Sequence, residues 1–425
     1  MKTLIKNADV LYDGKLQKVN VLFDEEEILE IGTDNYESDT EIDATGLTLL
    51  PGLVDVHVHF REPGHTESET LRTGSLAAAH GGFTTVCAMP NLIPSPDTVE
   101  VMKDYQALIE KESVVHTIPY GTITVEEKGK QLSDLKGMRE LGVSCFSDDG
   151  VGMNDQSLMK EALNFTKEND CIIALHTEDL SYRKPGASVH DSKVNTDKGW
   201  IGIPSECESA PLTADLKTAV ETGGKYHACH ISATKSVEAL REAKKQGGNV
   251  SGEVTAHHLL LEDKDVQGPL WKMNPPLRSH EDRMSLIEAL EEGTLDFIAN
   301  DHAPHSKDKK MKDMAHSAFG IVSLETAFPL LYNEFVYREK RWTLNQLVEW
   351  MSLKPAKRFN FEKVGKIEKG YHSDLVLMKL DEECVINSDI FESMGKNTPF
   401  NGWSVYAKTI ETFVDGKSVW KEEAK

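Results

Sequence analysis

The chain has 425 residues, of which 39% are hydrophobic and 28% are charged, and its formal net charge is −23. This length fits two or three domains, or one large barrel with an accessory module. The negative charge argues against nucleic acid or anionic membrane as a main partner, because both would repel the protein.

Both ends of the chain are predicted to be rich in β-strands. Residues 1–50 alternate short apolar runs with turns such as Asp13-Gly14, without a helical stripe. Residues 366–425 have the same character, with a turn at Asp415-Gly416. We predict that these two segments form one small composite β-sandwich domain, and that residues 51–365 form a (β/α)8 barrel.

The middle of the chain repeats a strand–helix pattern. Helix-like segments, such as residues 157–170 and 236–248, lie between most of its short apolar runs. The runs occupy residues 53–60, 84–91, 114–123, 142–149, 171–179, 225–232, 250–261 and 295–301. Nearly continuous apolar strands alternating with helices indicate a parallel sheet covered by helices. Eight such strands favour a closed TIM barrel over a doubly wound sheet.

Almost every predicted barrel strand ends in a polar residue that can bind metal or form hydrogen bonds. These residues are His57, His59, Asn91, Asp149, His176, His230, His257, His258 and Asp301. The carboxyl ends of the strands build the active site of TIM barrels. Since polar groups that converge are costly unless they are paired or coordinate an ion, we predict a metal-dependent active site there.

The segment Asp55-Val56-His57-Val58-His59-Phe60-Arg61 carries the first predicted ligands. Alternate residues of a strand share a face, so His57 and His59 can hold one Zn²⁺, and Arg61 would lie just beyond it, ready to bind a carboxylate. Asp55 shares this face but lies deeper, where a structural hydrogen-bonding role is favoured. A bare His-x-His pair is a weak motif, and the polar residues at the other strand ends are what support metal binding here.

His176 and His230 each close an apolar run on a separate strand, which favours metal binding for both. His227 has the opposite parity to His230 and is interpreted as structural. Zn²⁺ suits imidazole ligands, although Mn²⁺, Fe²⁺ or Co²⁺ could replace it. Four histidines can serve two metals if a carboxylate bridges them, and both Asp148 and Asp149 are candidates for the bridge.

Asp301 ends the eighth predicted strand and is the candidate general acid and base. Pro304 then starts a segment, residues 306–320, that is rich in Lys, Met and small residues. This composition suits a mobile lid over the rim. A tolerated surface insertion is the alternative interpretation of the same segment.

These motifs resemble, in order, those of the dihydroorotases of the amidohydrolase superfamily. The motifs are PGLVDVHVHFREPG, AMPN, FSDDG, HTED, CHIS, KMNPPLR and NDHAPH, and they cover nearly the whole chain. The resemblance is closest to the bacterial branch in which an aspartate bridges two metals. Hydantoinases, dihydropyrimidinases and another dihydroorotase branch use a carboxylated lysine instead, and the fourth strand here, GVSCFSDD, has no lysine.

The resemblance implies a site with two zinc ions. His57, His59 and Asp301 would hold one ion, His176 and His230 the other, and Asp149 rather than Asp148 would bridge them together with a hydroxide. The implied substrate contacts are His59, Arg61, Asn91, Asn274, His305 and the backbone of Phe319 and Gly320.

The implied activity is the reversible cyclisation of N-carbamoyl-L-aspartate to (S)-dihydroorotate, the third step of de novo pyrimidine biosynthesis. In the hydrolytic direction the bridging hydroxide would attack the ring carbonyl, and Asp301 would transfer its proton to the leaving nitrogen. Arg61, Asn91 and His305 would bind the free carboxylate of the substrate. The rival interpretations are a related cyclic amidase, such as an allantoinase or hydantoinase, and a catalytically silent scaffold barrel.

The remaining expectations concern compartment and partners. The six cysteines are scattered without a CxxC pair, which favours free thiols in the cytoplasm. The N-terminus lacks the features of a signal peptide, and no apolar stretch reaches the length of a membrane span. We predict a cytoplasmic homodimer with a small-molecule substrate, which can associate with aspartate transcarbamoylase.

Overall fold

The computed structural model describes residues 1–423 and opens with short strands and turns, as the sequence predicts. The first seven strands precede the barrel. They are β1 (Thr3–Lys6), β2 (Asp9–Tyr12), β3 (Lys15–Lys18), β4 (Asn20–Phe23), β5 (Ile28–Gly32), β6 (Thr40–Asp43) and β7 (Thr48–Pro51).

The middle of the chain supplies the next eleven strands. They are β8 (Leu53–Val58), β9 (Phe83–Ala88), β10 (His116–Pro119), β11 (Gly121–Thr122), β12 (Cys145–Ser147), β13 (Ile172–Leu175), β14 (Val189–His190), β15 (Gly202–Ile203), β16 (Tyr226–Ala228), β17 (Val250–Thr255) and β18 (Phe297–Ala299). All of them except β14 and β15 belong to a parallel barrel. The barrel order is β8, β9, β10 with β11, β12, β13, β16, β17 and β18.

The barrel is closed by main-chain contacts between its first and last strands. Every strand pair in it is parallel, for example Asp55 opposite Val86 and Val254 opposite Ile298. A parallel bridge between Val58 and His302 joins the end of β8 to the segment after β18. The predicted eight-stranded TIM barrel is therefore confirmed.

The two chain ends meet in one sheet beside the barrel. The last strands are β19 (Leu375–Val385), β20 (Ser404–Val414) and β21 (Lys417–Lys421), and the sheet order is β21-β20-β19-β7-β2-β3. A second sheet, β5-β4-β1-β6, comes from the N-terminal part alone. The composite domain is thus confirmed, while its exact boundaries at residues 50 and 366 stay a prediction.

Helices follow most barrel strands and cover the outside of the barrel. They are α1 (Leu71–His80), α2 (Val99–Glu112), α3 (Leu135–Glu140), α4 (Gln156–Asn169), α5 (Lys193–Thr196), α6 (Glu206–Thr222), α7 (Thr234–Lys245), α8 (Ala256–Leu260), α9 (His280–Glu292), α10 (Lys307–Lys310), α11 (Ala327–Leu331), α12 (Leu344–Val348) and α13 (Lys354–Arg358). Short 3₁₀ helices span Val125–Glu127, Leu180–Tyr182, Asp263–Asp265, Pro269–Trp271 and Ser388–Ile390, and π-helical turns span Tyr332–Arg338 and Glu349–Leu353. Among residues 1–423, no helix is long and apolar enough to cross a membrane.

Local chemistry explains where these helices begin. The Asp155 carboxylate accepts hydrogen bonds from the amides of Ser157 and Leu158, which satisfies free donors at the start of α4. Thr70 and Thr73 form a reciprocal cap at the start of α1. The helices predicted at residues 157–170 and 236–248 correspond to α4 and α7.

One predicted strand is too long. The run at residues 250–261 continues the apolar pattern of β17, but the strand ends at Thr255, and α8 begins at Ala256. The Thr255 hydroxyl caps that helix by accepting a hydrogen bond from the His258 amide at 3.3 Å. His257 and His258 therefore lie on a buried helical turn rather than at the end of a strand.

Candidate metal-dependent active site

A cavity of about 500 Å³ opens at the carboxyl ends of the barrel strands. Its lining includes most of the residues that the sequence singles out for the site. These are His59, Arg61, Asn91, Asp149, His176, His230, Asn274, Asp301, His305, Phe319 and Gly320. His57 lies beneath the cavity floor and is fully buried. The structure thus brings the predicted site residues together at one rim.

Strand β8 places the His-x-His pair. His57 lies in the strand, and its Nε2 is 3.5 Å from Asp149 Oδ1 and 3.6 Å from Asp301 Oδ1. The Nε2 of His59 is 3.2 Å from Asp301 Oδ1 and 3.5 Å from Asp149 Oδ2. Both histidines therefore face the same two carboxylates.

Arg61 reaches the cavity by a different route from the predicted one. Strand β8 ends at Val58, so strand alternation does not extend to Arg61. Its backbone has a φ of 61°, in the left-handed region that a residue with a side chain seldom adopts. The turn, rather than the parity of the strand, directs Arg61 to the rim.

The two neighbouring aspartates after β12 have separate roles. Asp148 is turned away from the cavity, and its Oδ1 accepts hydrogen bonds from the amides of Ile123 and Thr124 at 2.8 and 3.0 Å. The carboxylate of Asp149 instead faces the histidines of the rim. This geometry distinguishes two residues that the sequence leaves equivalent.

His176 and His230 complete the cluster on the side of β13 and β16. His176 Nδ1 lies 2.9 Å from His230 Nε2, and His230 Nε2 lies 3.9 Å from Asp149 Oδ1. The backbone of His230 also has a positive φ, 31°, as does that of Asp301, 47°. Strained backbone of this kind concentrates at functional sites, where the surrounding fold holds it in place.

The donor atoms fit a divalent metal. Three groups that include His57 have their ligand atoms close together, namely His57 with His59 and Asp301, His57 with Asp149 and His230, and His57 with Cys229 and Glu253. The atoms His57 Nε2, Asp149 Oδ1 and His230 Nδ1 are buried and lack a hydrogen-bond partner among the described residues. Since unpaired buried polar atoms are costly, nitrogen and carboxylate donors left free in this way suit an ion such as Zn²⁺.

The surroundings of Asp301 keep its carboxyl group ionised. Burial raises its pKa, but the hydrogen bond with His59 and the nearby His57 and His230 hold the pKa well below the usual range. An ionised carboxylate beside the cavity can accept a proton.

Glu253 is a residue of the site that sequence analysis missed. It is fully buried on β17, where one oxygen lies 2.9 Å from His57 Nδ1 and the other lies 2.9 Å from His227 Nε2. His227 is also hydrogen-bonded to Ser251, which confirms its structural role. The available signal was a carboxylate in the middle of an otherwise apolar strand, since such a group must find partners.

Glu178 and Arg183 were also missed, although Glu178 belongs to the quoted HTED motif. Glu178 accepts a hydrogen bond from Asn274 Nδ2 at 2.9 Å and pairs with Arg183 at 2.7 Å. Burial raises the pKa of Glu178. The opposite effect of His176 and Arg183 is larger, so the pKa lies below its ordinary value, at about 2. This carboxylate positions Asn274 and neutralises one of the two arginines that line the cavity.

The segment at residues 306–320 borders the cavity through Phe319 and Gly320, and its role as a mobile lid stays a prediction. Two buried lysines hold it in place. Lys310 Nζ donates to the carbonyls of Lys272 and Gly320, at 2.7 and 2.6 Å, and Lys272 Nζ donates to the carbonyl of Met314 at 2.7 Å. Gly320 has a φ of 119°, and a Cβ there would meet the side chain of Ala303 at 2.5 Å, so this position requires glycine.

His305 contacts the lid directly. Its Nε2 donates a hydrogen bond to the Phe319 carbonyl at 2.6 Å. Burial, followed by the charge of Arg61, lowers the pKa of His305 to about 3, so the ring is neutral. In this arrangement His305 holds the lid, and its Nε2 proton is not free for a substrate.

Comparisons with known proteins agree with these features. A family described as dihydro-orotase-like matches residues 46–236. The chain is 46% identical to a dihydroorotase of Bacillus licheniformis, covering 99% of both chains. It is 45% identical to a dihydroorotase of Ligilactobacillus salivarius, covering 100% of both.

Solved structures show the same architecture. An L-hydantoinase from Arthrobacter aurescens superposes with a TM-score of 0.89 at 25% identity, covering 99% of this chain and 96% of the other. A dihydropyrimidinase from Brevibacillus agri gives a TM-score of 0.85 at 24% identity, covering 99% and 95%. The likeness to the second enzyme concerns the fold alone.

Proposed function

The chain belongs to the dihydroorotase family, and we propose that it catalyses the reversible cyclisation of N-carbamoyl-L-aspartate to (S)-dihydroorotate. One observation carries the choice of substrate. The cavity that contains the histidine and aspartate cluster also contains Arg61, whose side chain has no hydrogen bond or ion pair within the described part of the chain. A free guanidinium at the rim suits a substrate that carries a carboxylate.

We assign the metal ligands within this proposal. His57, His59 and Asp301 would hold one zinc ion, and His176 and His230 would hold a second. Asp149 would be a ligand of both, since its carboxylate lies 3.5 Å from His57 on one side and 3.9 Å from His230 on the other. When bound, the ions lower the pKa of a water molecule and polarise the carbonyl group of the substrate.

Asp301 is the proton carrier of the reaction. In the hydrolytic direction its carboxylate accepts the proton of the attacking water and then donates it to the ring nitrogen as the amide bond breaks. In the cyclisation direction the same carboxylate takes a proton from the ureido nitrogen. The low pKa of Asp301 in this site keeps it in the ionised form that accepts the proton.

Arg61 binds the free carboxylate of the substrate, and Asn91 joins it only by releasing one of the two hydrogen bonds that its Nδ2 donates within the protein. Asn91 is held by the carbonyl of Asp149 and by Glu127, and burial followed by the charges of Asp148 and Asp149 raises the pKa of Glu127 to about 9. Glu127 is therefore uncharged near neutral pH and does not repel the anion. Asn274, His305 and the backbone of Phe319 and Gly320 close the other side of the cavity.

A direct test measures activity and metal on the same sample. Purified protein is assayed for hydrolysis of dihydroorotate and of a hydantoin, and its zinc content is determined in parallel. We expect turnover of dihydroorotate, loss of turnover after chelation, and recovery when Zn²⁺ is returned. The exposed Asp197→Ala variant serves as a control with unchanged activity.

The same measurement distinguishes the rival functions. Turnover of the hydantoin with none of dihydroorotate would replace the proposed substrate with that of a related cyclic amidase. Absence of turnover on both substrates, with thermal stability unaffected by chelation, would support the silent scaffold.

The compartment and assembly belong to the same proposal. All six cysteines are free thiols, five of them buried, which suits a reducing cytoplasm. The homodimer and the association with aspartate transcarbamoylase stay predictions. Light scattering of the protein alone and mixed with aspartate transcarbamoylase tests both.

A further inference from the structure

A second cluster of histidine and carboxylates lies at the opposite end of the barrel from the cavity. His116 is the first residue of β10, so it lies at the amino end of a barrel strand. Asp374 directly precedes β19, and Asp415 lies in the turn between β20 and β21. The three side chains therefore join the barrel to the composite sheet.

The spacing of these atoms is that of metal ligands rather than of a close ion pair. His116 Nε2 lies 3.3 Å from Asp374 Oδ2 and 3.5 Å from Asp415 Oδ1. A charge-assisted hydrogen bond between such groups measures about 2.7–2.9 Å. Ligands bound at about 2.0–2.2 Å around a tetrahedral zinc ion lie roughly 3.3–3.5 Å from one another. His57, Asp149 and Asp301 at the rim have similar separations of 3.5 and 3.6 Å.

Two exposed histidine–carboxylate pairs elsewhere in the protein are shorter. His280 Nδ1 lies 2.7 Å from Glu262 Oε1 on the barrel surface, and His316 Nδ1 lies 2.8 Å from Asp313 Oδ1 in the lid. These distances match direct hydrogen bonds. The wider spacing at His116 resembles that of other buried pairs, such as His302 with Glu69 at 3.6 Å, so it allows a metal ion without requiring one.

The carboxylate of Asp374 supplies an independent observation. Asp374 is only 5% exposed. Its Oδ1 accepts a hydrogen bond from the Asp415 amide at 3.0 Å, whereas its Oδ2 faces His116 and has no hydrogen-bond partner within residues 1–423. A buried carboxylate oxygen without a partner carries a desolvation penalty that a cation would remove.

We propose that His116, Asp374 and Asp415 bind a divalent transition-metal ion of the zinc class, separate from the catalytic site. His116 Nε2, Asp374 Oδ2 and Asp415 Oδ1 are the three protein ligands. The side chains of His116 and Asp415 are 36% and 46% exposed, so the ion can enter from solvent, and water can fill the fourth position. The ion clamps β10 to both β19 and the β20–β21 turn, and binding to the folded state alone stabilises the protein.

A proton is the competing occupant of this cluster. Burial lowers the pKa of His116, but Asp374 and Asp415 outweigh that effect and raise it to about 10. A protonated imidazole between two carboxylates is therefore the alternative to a metal ion. Zinc content and thermal unfolding of substituted proteins distinguish the two occupants.

The test compares the zinc content of four full-length proteins after equilibrium dialysis against buffered Zn²⁺. They are the wild type, His116→Asn, Asp415→Asn and the control His280→Asn. Asp415 has a φ of 46°, which asparagine tolerates, so Asp415→Asn removes the charge without straining the turn. We expect the wild type and His280→Asn to bind one more equivalent of zinc than the other two variants.

Thermal unfolding with and without Zn²⁺ provides the second measurement. The Zn²⁺-dependent rise in Tm should be smaller in His116→Asn and Asp415→Asn than in the wild type, and turnover of the zinc-loaded proteins should agree within about twofold. Equal zinc content in all four proteins would overturn the proposal. So would a stability loss in His116→Asn that is independent of Zn²⁺, because it would assign the cluster to a protonated ion pair. These readouts do not depend on the proposed substrate.

Discussion

The two ends of the barrel both place histidine beside carboxylate, but in different surroundings. At the carboxyl rim, His57, Asp149 and Asp301 have side chains no more than 9% exposed. At the opposite end, His116 and Asp415 are partly open to solvent. The histidine and carboxylates of the rim are thus more buried than those of the junction at the other end.

The two clusters also come from different parts of the chain. The rim residues come from the barrel alone, through β8 and the segments that follow β12, β13, β16 and β18. The cluster at His116 combines one barrel strand with two segments of the composite sheet. In TIM barrels the carboxyl end carries catalysis and the amino end carries stability. We therefore expect changes at the rim to lower activity more than stability, and changes at the junction or in the composite sheet to do the reverse.

The largest expected loss of activity follows removal of the proton carrier. Asp301→Ala should lower kcat by at least about 10³-fold, because it removes the carboxylate that relays the proton from water to nitrogen. Most of the zinc should stay bound, since the histidines and Asp149 remain. Steady-state assays with zinc analysis check both statements. A variant that keeps near-normal kcat would break the assignment of chemistry to the rim.

The next effect concerns recognition of the substrate. Arg61→Met should raise KM for dihydroorotate by about 10- to 100-fold with little change in kcat, because it removes a charge-assisted contact. Arg183→Met is the matched control. Arg183 also lines the cavity, but its guanidinium is already paired with Glu178 at 2.7 Å. Equal changes in KM for the two variants would show that general positive charge, rather than Arg61, binds the carboxylate.

A smaller effect is expected from the residue behind His57. Glu253→Gln keeps the shape of the side chain but weakens the acceptor at His57 Nδ1, so zinc affinity should fall by about 10- to 100-fold. Excess Zn²⁺ should then restore most of the turnover. Chelator competition measures the affinity, and the exposed Glu288→Gln variant is the control. Turnover that stays low at saturating Zn²⁺ would give Glu253 a role beyond positioning the ligand.

The sequence predicted the barrel well because both of its signals are local. Apolar strands alternate with helices, and polar residues follow the strands. The sequence was a weaker guide where a contact between distant segments decides which way a side chain points. Asp148 and Asp149 are adjacent and chemically alike, and the amides of Ile123 and Thr124, together with the Thr124 hydroxyl, direct Asp148 away from the rim.

Backbone geometry limits the prediction in another way. Arg61 was expected at the rim from strand parity, and it does line the cavity, but a turn with positive φ places it there. Glu253 was missed because its two partners, His57 and His227, lie on other strands. The sequence shows a buried carboxylate but not the histidines that it contacts.

The smallest effect on catalysis is expected from the core of the composite domain. Phe23 and Phe413 are buried there, with ring centroids 5.7 Å apart in an edge-to-face arrangement. Phe413→Ala should lower the free energy of unfolding by about 3–5 kcal/mol, because it removes a large buried side chain and leaves a cavity. Turnover per folded molecule should stay within about twofold of the wild type.

Urea unfolding and assays at a temperature where the protein remains folded check this pair of statements. Val385→Ala, at an exposed position of β19, is the control and should change stability by less than about 0.5 kcal/mol. If Phe413→Ala unfolds the protein, Phe413→Leu tests the same point with a smaller cavity. If a folded Phe413 variant loses turnover in proportion to its loss of stability, the composite sheet controls the geometry of the rim. Activity and stability would then no longer be assigned to opposite ends of the barrel.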